Sequence, residues 1–572
     1  MKENNLMESN LTGYPSIDKP WMRYYSEDAR NAKVPECTIY ESIYNHNKDY
    51  LQDVALLYFG KKITYKQLFA QVEKVQKAFM MQGVKDGDDV ALCVTAIPEA
   101  VYAILALNKL GANAYMLNPT FTEQQLTERL NETDATVMLV MNELYERMEN
   151  VLPNTKIKQV ISCSAINTLG TIAKVVKKVK KIDKTIPWNK FISEGRNVKN
   201  ICKTEYKKDA PAIIVYSSGS TGAAKGIQLT NYGVNASIVD GGFIGFEWKR
   251  QDRYFCEAPI WASTGISATL LVPLYYGITV ILEPKYDFEL LYQHIEKYRP
   301  NFMITATGLL DYLMQKKEYS IAYREFKYLV VGGEYVTPCA EQKFNEWLQR
   351  NGSQEKLHKG YGMCECGSTV TATHYNCNKS GSAGIPTPNV IVAAFDLKTD
   401  NELKYGQRGE LRVLTRSKML GYYKKEKATK EKFFEDEQGR RWVRTGDMGY
   451  VTEDGSVYVD GRISSSYINE NNETIYLFDI ERAILDIEQV RQCKAVVSEI
   501  DGRRVHVVHM SLVDDADVEK TLSRVKVYCT EKLAISHFPT LVKLHDSALP
   551  IALSQKLDVA KMEKDIDGLI SL

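Results

Sequence analysis

The chain has 572 residues, too many for one ordinary hydrophobic core, so two or more domains are expected. Its 73 lysines and arginines nearly cancel 72 aspartates and glutamates, which removes any global electrostatic case for nucleic acid as a partner. Eleven cysteines, scattered and odd in number, suit reduced thiols better than a disulfide scaffold. The polar stretch from Met1 to Gly13 offers no apolar core of a secretion signal, so a cytoplasmic protein is expected.

Thr64-Tyr65-Lys66-Gln67 reads as a capping box that opens a helix, with Leu68, Val72, Val75 and Phe79 on one face. A turn at Gly83 to Asp88 leads to a strand at Val90 to Val94, then a helix through Glu99 to Lys109 and an extended piece at Asn113 to Leu117. Strand–helix–strand alternation of this kind implies a parallel sheet covered by helices. Between Thr171 and Lys184, Ile172, Val175, Val176, Val179 and Ile182 share a helical face while lysines crowd the other. Such a helix either docks on the domain with a solvated face or lies peripherally on anionic lipid at the inner membrane surface.

Ala212-Ile213-Ile214-Val215 is a β-branched run of strand length. After Tyr216 come Ser217, Ser218, Gly219, Ser220, Thr221, Gly222, Ala223, Ala224, Lys225 and Gly226. Small and hydroxyl side chains leave backbone N–H groups uncovered, so this turn can wrap an anion, with Lys225 adding a mobile charge. A plain flexible loop has the same composition. It is not the nucleoside-triphosphatase P-loop, because Gly226 rather than Ser or Thr follows the lysine.

Trp261 to Leu282 carries no charge and imitates a membrane span, yet Gly265, Pro273 and Gly277 interrupt it. A buried helix followed by a buried strand at Ile278 to Leu282 explains it better. Leu329 to Glu334 is a strand that ends in the glycine turn Gly332-Gly333, where backbone can approach a ligand. Cys364, Cys366, His374 and Cys377 invite a zinc reading, but they lack paired C-x-x-C spacing. Alternating apolar residues from Gly409-Glu410-Leu411 onward suggest a small β-rich subdomain.

The run from Tyr216 to Gly226 resembles T-S-G-T-T-G-x-P-K-G, the signature of the adenylate-forming superfamily, with Ala224 where proline is usual. That superfamily includes acyl-CoA synthetases, nonribosomal adenylation domains and luciferases. Further matches follow in family order. Near the start stand Thr64-Tyr65 with Leu68, Gly83-Val84 with Gly87-Asp88, and Lys109 with Gly111-Ala112. Gly360-Tyr361-Gly362-Met363-Cys364-Glu365 is similar to Y-G-x-T-E, and Gly421-Tyr422 with Thr429 matches another block. Arg444-Thr445-Gly446-Asp447, Asp454-Gly455 and Asp460-Gly461-Arg462 resemble R-T-G-D with its downstream D-G and G-R. Leu549 to Asp558 resembles P-x-T-x-S-G-K-[IL]-D, which places Lys556 as the family lysine.

The resemblance implies an α/β fold. A large N-terminal domain at 1–461 would hold two stacked, mostly parallel α/β subdomains and a small β-barrel-like one. A hinge at 462–466 and a small mobile α+β domain at 467–572 would follow. It further implies roles. Ser217 to Gly222, with Thr221 and Lys225, would hold the β- and γ-phosphates of ATP; Gly332, Gly333 and Glu334 would lie against adenine, and Tyr361 would stack on it. Glu365 would hold the Mg²⁺ of MgATP, with Gly362 in the same turn, and Cys364 would stand near the α-phosphate in place of threonine. Asp447 would accept hydrogen bonds from the ribose hydroxyls and Arg462 would sit near ribose or phosphate. Lys556 would act on the reacting centre, and Trp261, Gly333 and Gly360 would line the acyl pocket, although tryptophan also commonly fills a core.

The aspartate with which amino-acid-activating relatives pair the substrate amine is missing after Pro259, which favours an apolar carboxylic acid. The implied reaction is ATP-dependent formation of an acyl-adenylate with release of pyrophosphate, then thioester formation with coenzyme A. A carrier-protein phosphopantetheine is the alternative acceptor, and a non-catalytic nucleotide-binding relative the alternative class. Departures cluster where the family changes domain: Ser464 at the charged hinge position, Asn471 or Asn472 for the glycine beside the pantetheine tunnel, and Gln555 for glycine.

Overall fold

The structure is a computed structural model that describes residues 11–169, 182, 184–199, 204–217, 224–316, 320–550 and 557–572. The amphipathic segment at 171–184 therefore lies almost wholly outside the described residues, and residues 218–223 and Lys556 lie outside them as well.

The first layer is an eight-stranded sheet. Its order is Gly421–Tyr422, Gly226–Thr230, Pro211–Tyr216, Asn113–Met116, Asp89–Cys93, Val137–Met141, Gln159–Cys163 and Ile186–Pro187. From Pro211–Tyr216 outward to Ile186–Pro187 the pairing is parallel. The inner strands are buried almost end to end, because a strand covered on both faces has no solvent side.

The expected capping box is present: the Thr64 hydroxyl accepts from the Gln67 N–H while the Gln67 side chain accepts from the Thr64 N–H. It starts helix Tyr65–Met81, whose buried face carries Leu68, Val72, Val75 and Phe79. Helix Pro98–Leu110 is buried on nearly every side and belongs to an apolar cluster that also takes Leu92 and Ile213 from this sheet and Leu56, Val280 and Leu282 from the next. One core thus cements two sheets.

The second layer has nine strands. A parallel block runs His358–Met363, Tyr328–Gly332, Phe302–Thr305, Arg253–Cys256, Thr279–Leu282 and Val54–Tyr58, with antiparallel strands at both edges. The uncharged stretch from Trp261 resolves as expected into buried helix and buried strand. A π-helical run Thr264–Leu271 continues into Val272–Tyr275, and strand Thr279–Leu282 follows. Gly265 lies in the first turn of this run, where a Cβ would stand 2.0 Å from the Pro259 carbonyl oxygen and only glycine fits. Among the described residues no helix is long and apolar enough to cross a membrane.

The β-rich stretch forms a five-stranded antiparallel sheet of Ile391–Phe395, Gly409–Leu414, Arg441–Val451, Phe433–Glu435 and Val457–Arg462. After Arg462 the chain makes a short turn, where the Ile463 N–H donates to the Gly446 carbonyl at 2.9 Å, and enters the hairpin Ser466–Ile468/Thr474–Tyr476. Asn472 occupies the hairpin turn at φ 62°, the left-handed conformation that asparagine tolerates. A four-stranded sheet of Val490–Ile500, Arg503–Leu512, Leu541–His545 and Ile570–Ser571 ends the chain, with helices Leu477–Leu485 and Val518–Lys532 contributing to its core.

Charge joins this last unit to the larger body. Asp460 of strand Val457–Arg462 receives Arg408 at 2.6 Å and Arg482 at 2.5 Å, and Arg408 also reaches Asp479 at 2.8 Å. Asp479 and Arg482 both belong to helix Leu477–Leu485.

Candidate active site

The loop that begins after Tyr216 springs from the end of a buried parallel strand, the edge at which open α/β sheets present ligands. Its ends are tied together: the Ser217 N–H donates to the Lys225 carbonyl at 3.0 Å, and the Lys225 N–H donates to the Ser217 hydroxyl at 3.1 Å. Ser218, Gly219, Ser220, Thr221 and Gly222 lie outside the described residues. Lys225 is exposed, with its ammonium 5.0 Å from the centroid of the Tyr422 ring.

Tyr422 links this loop to the next motif. Strand Gly421–Tyr422 pairs with Gly226–Thr230, with Tyr422 opposite Ile227, which fixes the ring beside the loop. Its hydroxyl donates to Glu365 Oε1 at 2.7 Å. The Lys432 ammonium stands 3.8 Å from the same oxygen. Glu365 is buried and its carbonyl accepts from the Met419 N–H, so both its backbone and its carboxylate are held.

Asp447 and Arg462 face one another across the pairing of Arg441–Val451 with Val457–Arg462. Arg462 Nε lies 3.0 Å from Asp447 Oδ1, and the Tyr361 hydroxyl donates to Asp447 Oδ2 at 2.5 Å. Burial raises the Asp447 carboxyl above its ordinary range, against the opposing pull of the Arg462 charge and the Tyr361 hydrogen bond. Lys432 and Glu365 also act on Asp447 electrostatically, so the two acids share one field. Tyr361 is pushed well above its usual value by burial and by the Asp447 charge, and it stays a neutral donor.

Gly332 and Gly360 are register partners in adjacent parallel strands, and this brings the glycine turn alongside the Tyr361 motif. Gly333 has φ +82°, and no atom lies within 4 Å of where its Cβ would be, so the backbone there borders open space. Glu334 turns away and caps the Thr307 N–H at the start of helix Thr307–Met314. Gly362 lies on the same strand as Tyr361 and is exposed. Trp261 and Cys364 are both partly buried against the core that joins the two sheets.

The structure therefore brings Lys225, Glu365, Asp447, Tyr361 and Arg462 into one linked network, with Gly332, Gly333 and Gly360 at its border. Lys432 and the linking role of Tyr422 were not foreseen. The Gly421-Tyr422 block marked the tyrosine in sequence, but nothing around Lys432 distinguishes it from a surface lysine. Among the described residues the only potential metal cluster involves none of Cys364, Cys366, His374 and Cys377. Cys377 instead exchanges backbone hydrogen bonds with His374. A cavity of about 430 Å³ lined by Asp86, Asp88, Asp89 and Asp134 opens at the opposite strand ends and takes no part in this network.

Two stacked parallel-containing sheets, a small antiparallel sheet and a terminal α+β unit, with these motifs at the strand ends, define the architecture of adenylate-forming enzymes. The chain belongs to the AMP-binding enzyme family, whose model matches residues 44–423. It is 23% identical over 568 residues to a long-chain-fatty-acid–CoA ligase of Bacillus subtilis, with 96% of this chain and 99% of the relative covered. It is also 26% identical over 512 residues to a 2-succinylbenzoate–CoA ligase of Bacillus licheniformis, covering 88% and 95% of the two chains. The solved O-succinylbenzoate coenzyme A synthetase of Bacillus subtilis, in complex with ATP and magnesium ion, superposes with a TM-score of 0.73 at 22% identity, covering 91% of this chain and 99% of that one.

Proposed function

We propose that this enzyme joins a carboxylic acid of apolar character to the AMP moiety of ATP, releases pyrophosphate, and passes the acyl group to the thiol of coenzyme A. The observation that carries the reading is the Asp447 carboxylate, bracketed by Tyr361 at 2.5 Å and Arg462 at 3.0 Å, with the Glu365–Lys432 pair in the same field. Asp447 accepts the two ribose hydroxyls, Tyr361 offers its ring to adenine, and the open backbone at Gly333 gives the base its flank. The pinned loop with Thr221 and Lys225 takes the β- and γ-phosphates.

Glu365 fits a magnesium ion: it is a hard oxygen donor held in place by Tyr422, and Mg²⁺ takes one or two carboxylates together with substrate phosphates. When bound, that ion neutralises phosphate charge. A carboxylate oxygen of the substrate then attacks the α-phosphorus and pyrophosphate leaves with the electron pair. Lys556 steadies the charge gathered between the two anions, so the catalysis is mainly positioning and electrostatics. In the second step a thiolate attacks the acyl carbonyl carbon and AMP departs. The smaller C-terminal unit rotates about 462–466 between the steps. Asn472 keeps the left-handed turn that a glycine would give, which supports an intact approach for a pantetheine arm.

The test is pyrophosphate exchange with a panel of fatty and aromatic acids, with hydroxamate trapping in the absence of thiol, then coenzyme A and a phosphopantetheinylated carrier protein compared as acceptors. Exchange that requires an acid, and thioester formed on coenzyme A, are expected. ATP binding without acid-dependent exchange would overturn the reading.

A further inference from the structure

The terminal sheet carries a constellation that the nucleotide chemistry does not use. His509 lies on strand Arg503–Leu512 and His545 closes strand Leu541–His545. The two strands are parallel, with His509 opposite Lys543 and Ser511 opposite His545. Residues two apart on a strand share a face, so both imidazoles emerge on one side of the sheet. Val507 and Met562 cover that side with Leu549, and Leu557 packs against them. Asp565 reaches the same place from the segment that follows helix Val559–Met562.

His509 is fully buried, and its Nδ1 lies 2.9 Å from His545 Nε2. Its other nitrogen, Nε2, is buried and makes no hydrogen bond of ordinary geometry, although the Met562 carbonyl faces the ring. Coordination through Nδ1 leaves the proton of the neutral ring on Nε2, toward the Met562 carbonyl, the outer partner that fixes a ligating imidazole. Burial holds both imidazoles below their usual pKa, so each presents a neutral lone pair. One ligand atom from each of His509, His545 and Asp565 can be chosen so that all three lie within 4.8 Å of one another.

We propose that His509, His545 and Asp565 bind a divalent transition-metal ion of the zinc class, with a fourth position left to water. A tetrahedral ion takes nitrogen and oxygen ligands at about 2.0–2.2 Å, which sets ligand-to-ligand edges a little over 3 Å. The His509–His545 pair needs to open by a few tenths of an ångström, and Asp565 to close in from a partly exposed position. Two imidazoles and one carboxylate favour zinc, cobalt or nickel over magnesium or calcium, which prefer all-oxygen shells.

The charges that face the site are Lys543, Lys561 and Asp546, besides Asp565 itself. Lys543 pairs with Asp565 at 3.1 Å and is the competitor that the ion must displace. Lys543 also donates to the Asp567 carbonyl, so its ammonium keeps a partner when Asp565 turns to the metal. Bound there, an ion ties the segment after helix Val559–Met562 to two strands of the sheet, and so stiffens the stretch that follows Lys556 in sequence.

The test uses the full chain stripped with EDTA and then given Zn²⁺ or Co²⁺ alone. One equivalent per chain is expected, with the visible absorption of tetrahedral Co²⁺ and a rise in the thermal midpoint as metal is added. His545→Gln and Asp565→Asn alter partly exposed residues, and each is expected to weaken binding by at least about 10–100-fold, the loss that follows removal of even an outer-sphere partner. Lys543→Met removes the competitor and is expected to tighten it. Equal uptake by wild type and both ligand variants would place the ion on other groups, such as the cysteines, and overturn the proposal. So would the absence of uptake in excess Zn²⁺ by wild type and by Lys543→Met.

Discussion

Replacing Asp447 with asparagine separates nucleotide recognition from folding. The amide keeps the shape of the carboxylate, and its one oxygen still accepts from the Tyr361 hydroxyl, which lies 2.5 Å away. The charge is lost, however, and the NH2 donor replaces the oxygen 3.0 Å from Arg462, whose half-exposed guanidinium turns to water. Hydrogen bonds to a charged group contribute about 1.5–3 kcal/mol and neutral ones about 0.5–1.5 kcal/mol. Two ribose hydroxyls therefore lose about 2 kcal/mol together, and the KM for ATP rises about 30-fold. Stability moves little, because burial already disfavours the charged form of Asp447 and a neutral amide relieves that penalty. Pyrophosphate exchange measured across ATP concentrations at saturating acid gives the KM, and thermal melting followed by tryptophan fluorescence gives the stability. A folded Asp447→Asn protein with the wild-type KM for ATP would refute the placing of the ribose at this carboxylate.

Lys556→Ala is expected to depress acyl-adenylate formation by orders of magnitude while leaving ATP binding within a few-fold; near-normal pyrophosphate exchange would remove Lys556 from the reacting centre. Asn472→Ala forces a Cβ-bearing residue without a turn-stabilising side chain into φ 62° and should cost about 1 kcal/mol, whereas Asn472→Gly should be neutral or better. Both variants should keep the exchange activity, so an exchange defect in Asn472→Gly would show that the hairpin serves the first step. Glu257 is buried at the end of strand Arg253–Cys256, and burial first, with Glu283 adding, lifts its pKa from 4.5 to about 7. The folded state then holds its proton through a window where the unfolded state has lost it. Stability from this group falls as pH climbs from about 4.5 to about 7, by at most about 3 kcal/mol. Glu257→Gln should flatten that fall, and a gap between variant and wild-type melting temperatures that does not widen with pH would contradict it.

Local signals were legible wherever neighbours in sequence decide the structure. The Thr64–Gln67 capping box needs four consecutive residues. The break inside Trp261 to Leu282 falls at Gly277, which takes φ 75° between Val272–Tyr275 and strand Thr279–Leu282, while Gly265 and Pro273 stay within the helical run. Likewise the inner strands at Val90–Val94 and Ala212–Val215 announce themselves as apolar runs, because both of their faces are covered. The site was legible only as separate motifs. That Tyr422 would reach Glu365, or Lys432 the same oxygen, depends on the pairing of Gly421–Tyr422 with a strand nearly two hundred positions earlier, a register that no local pattern encodes. Glu257 escaped notice for the opposite reason: a glutamate two residues before Pro259 looks like a surface charge until the sheet closes over it.

The bridge between the body and the terminal unit divides evenly. Asp460 and Arg408 belong to one side, Asp479 and Arg482 to the other, so each face owns one acid and one base. If the helix swings away, Asp460 retains Arg408, and Arg482 remains one helical turn from Asp479 on its own surface. Neither face is stripped to a lone buried ion, the circumstance that makes breaking such contacts expensive. For the proposed rotation such a joint would serve as a clasp, each of its halves electrically complete when parted.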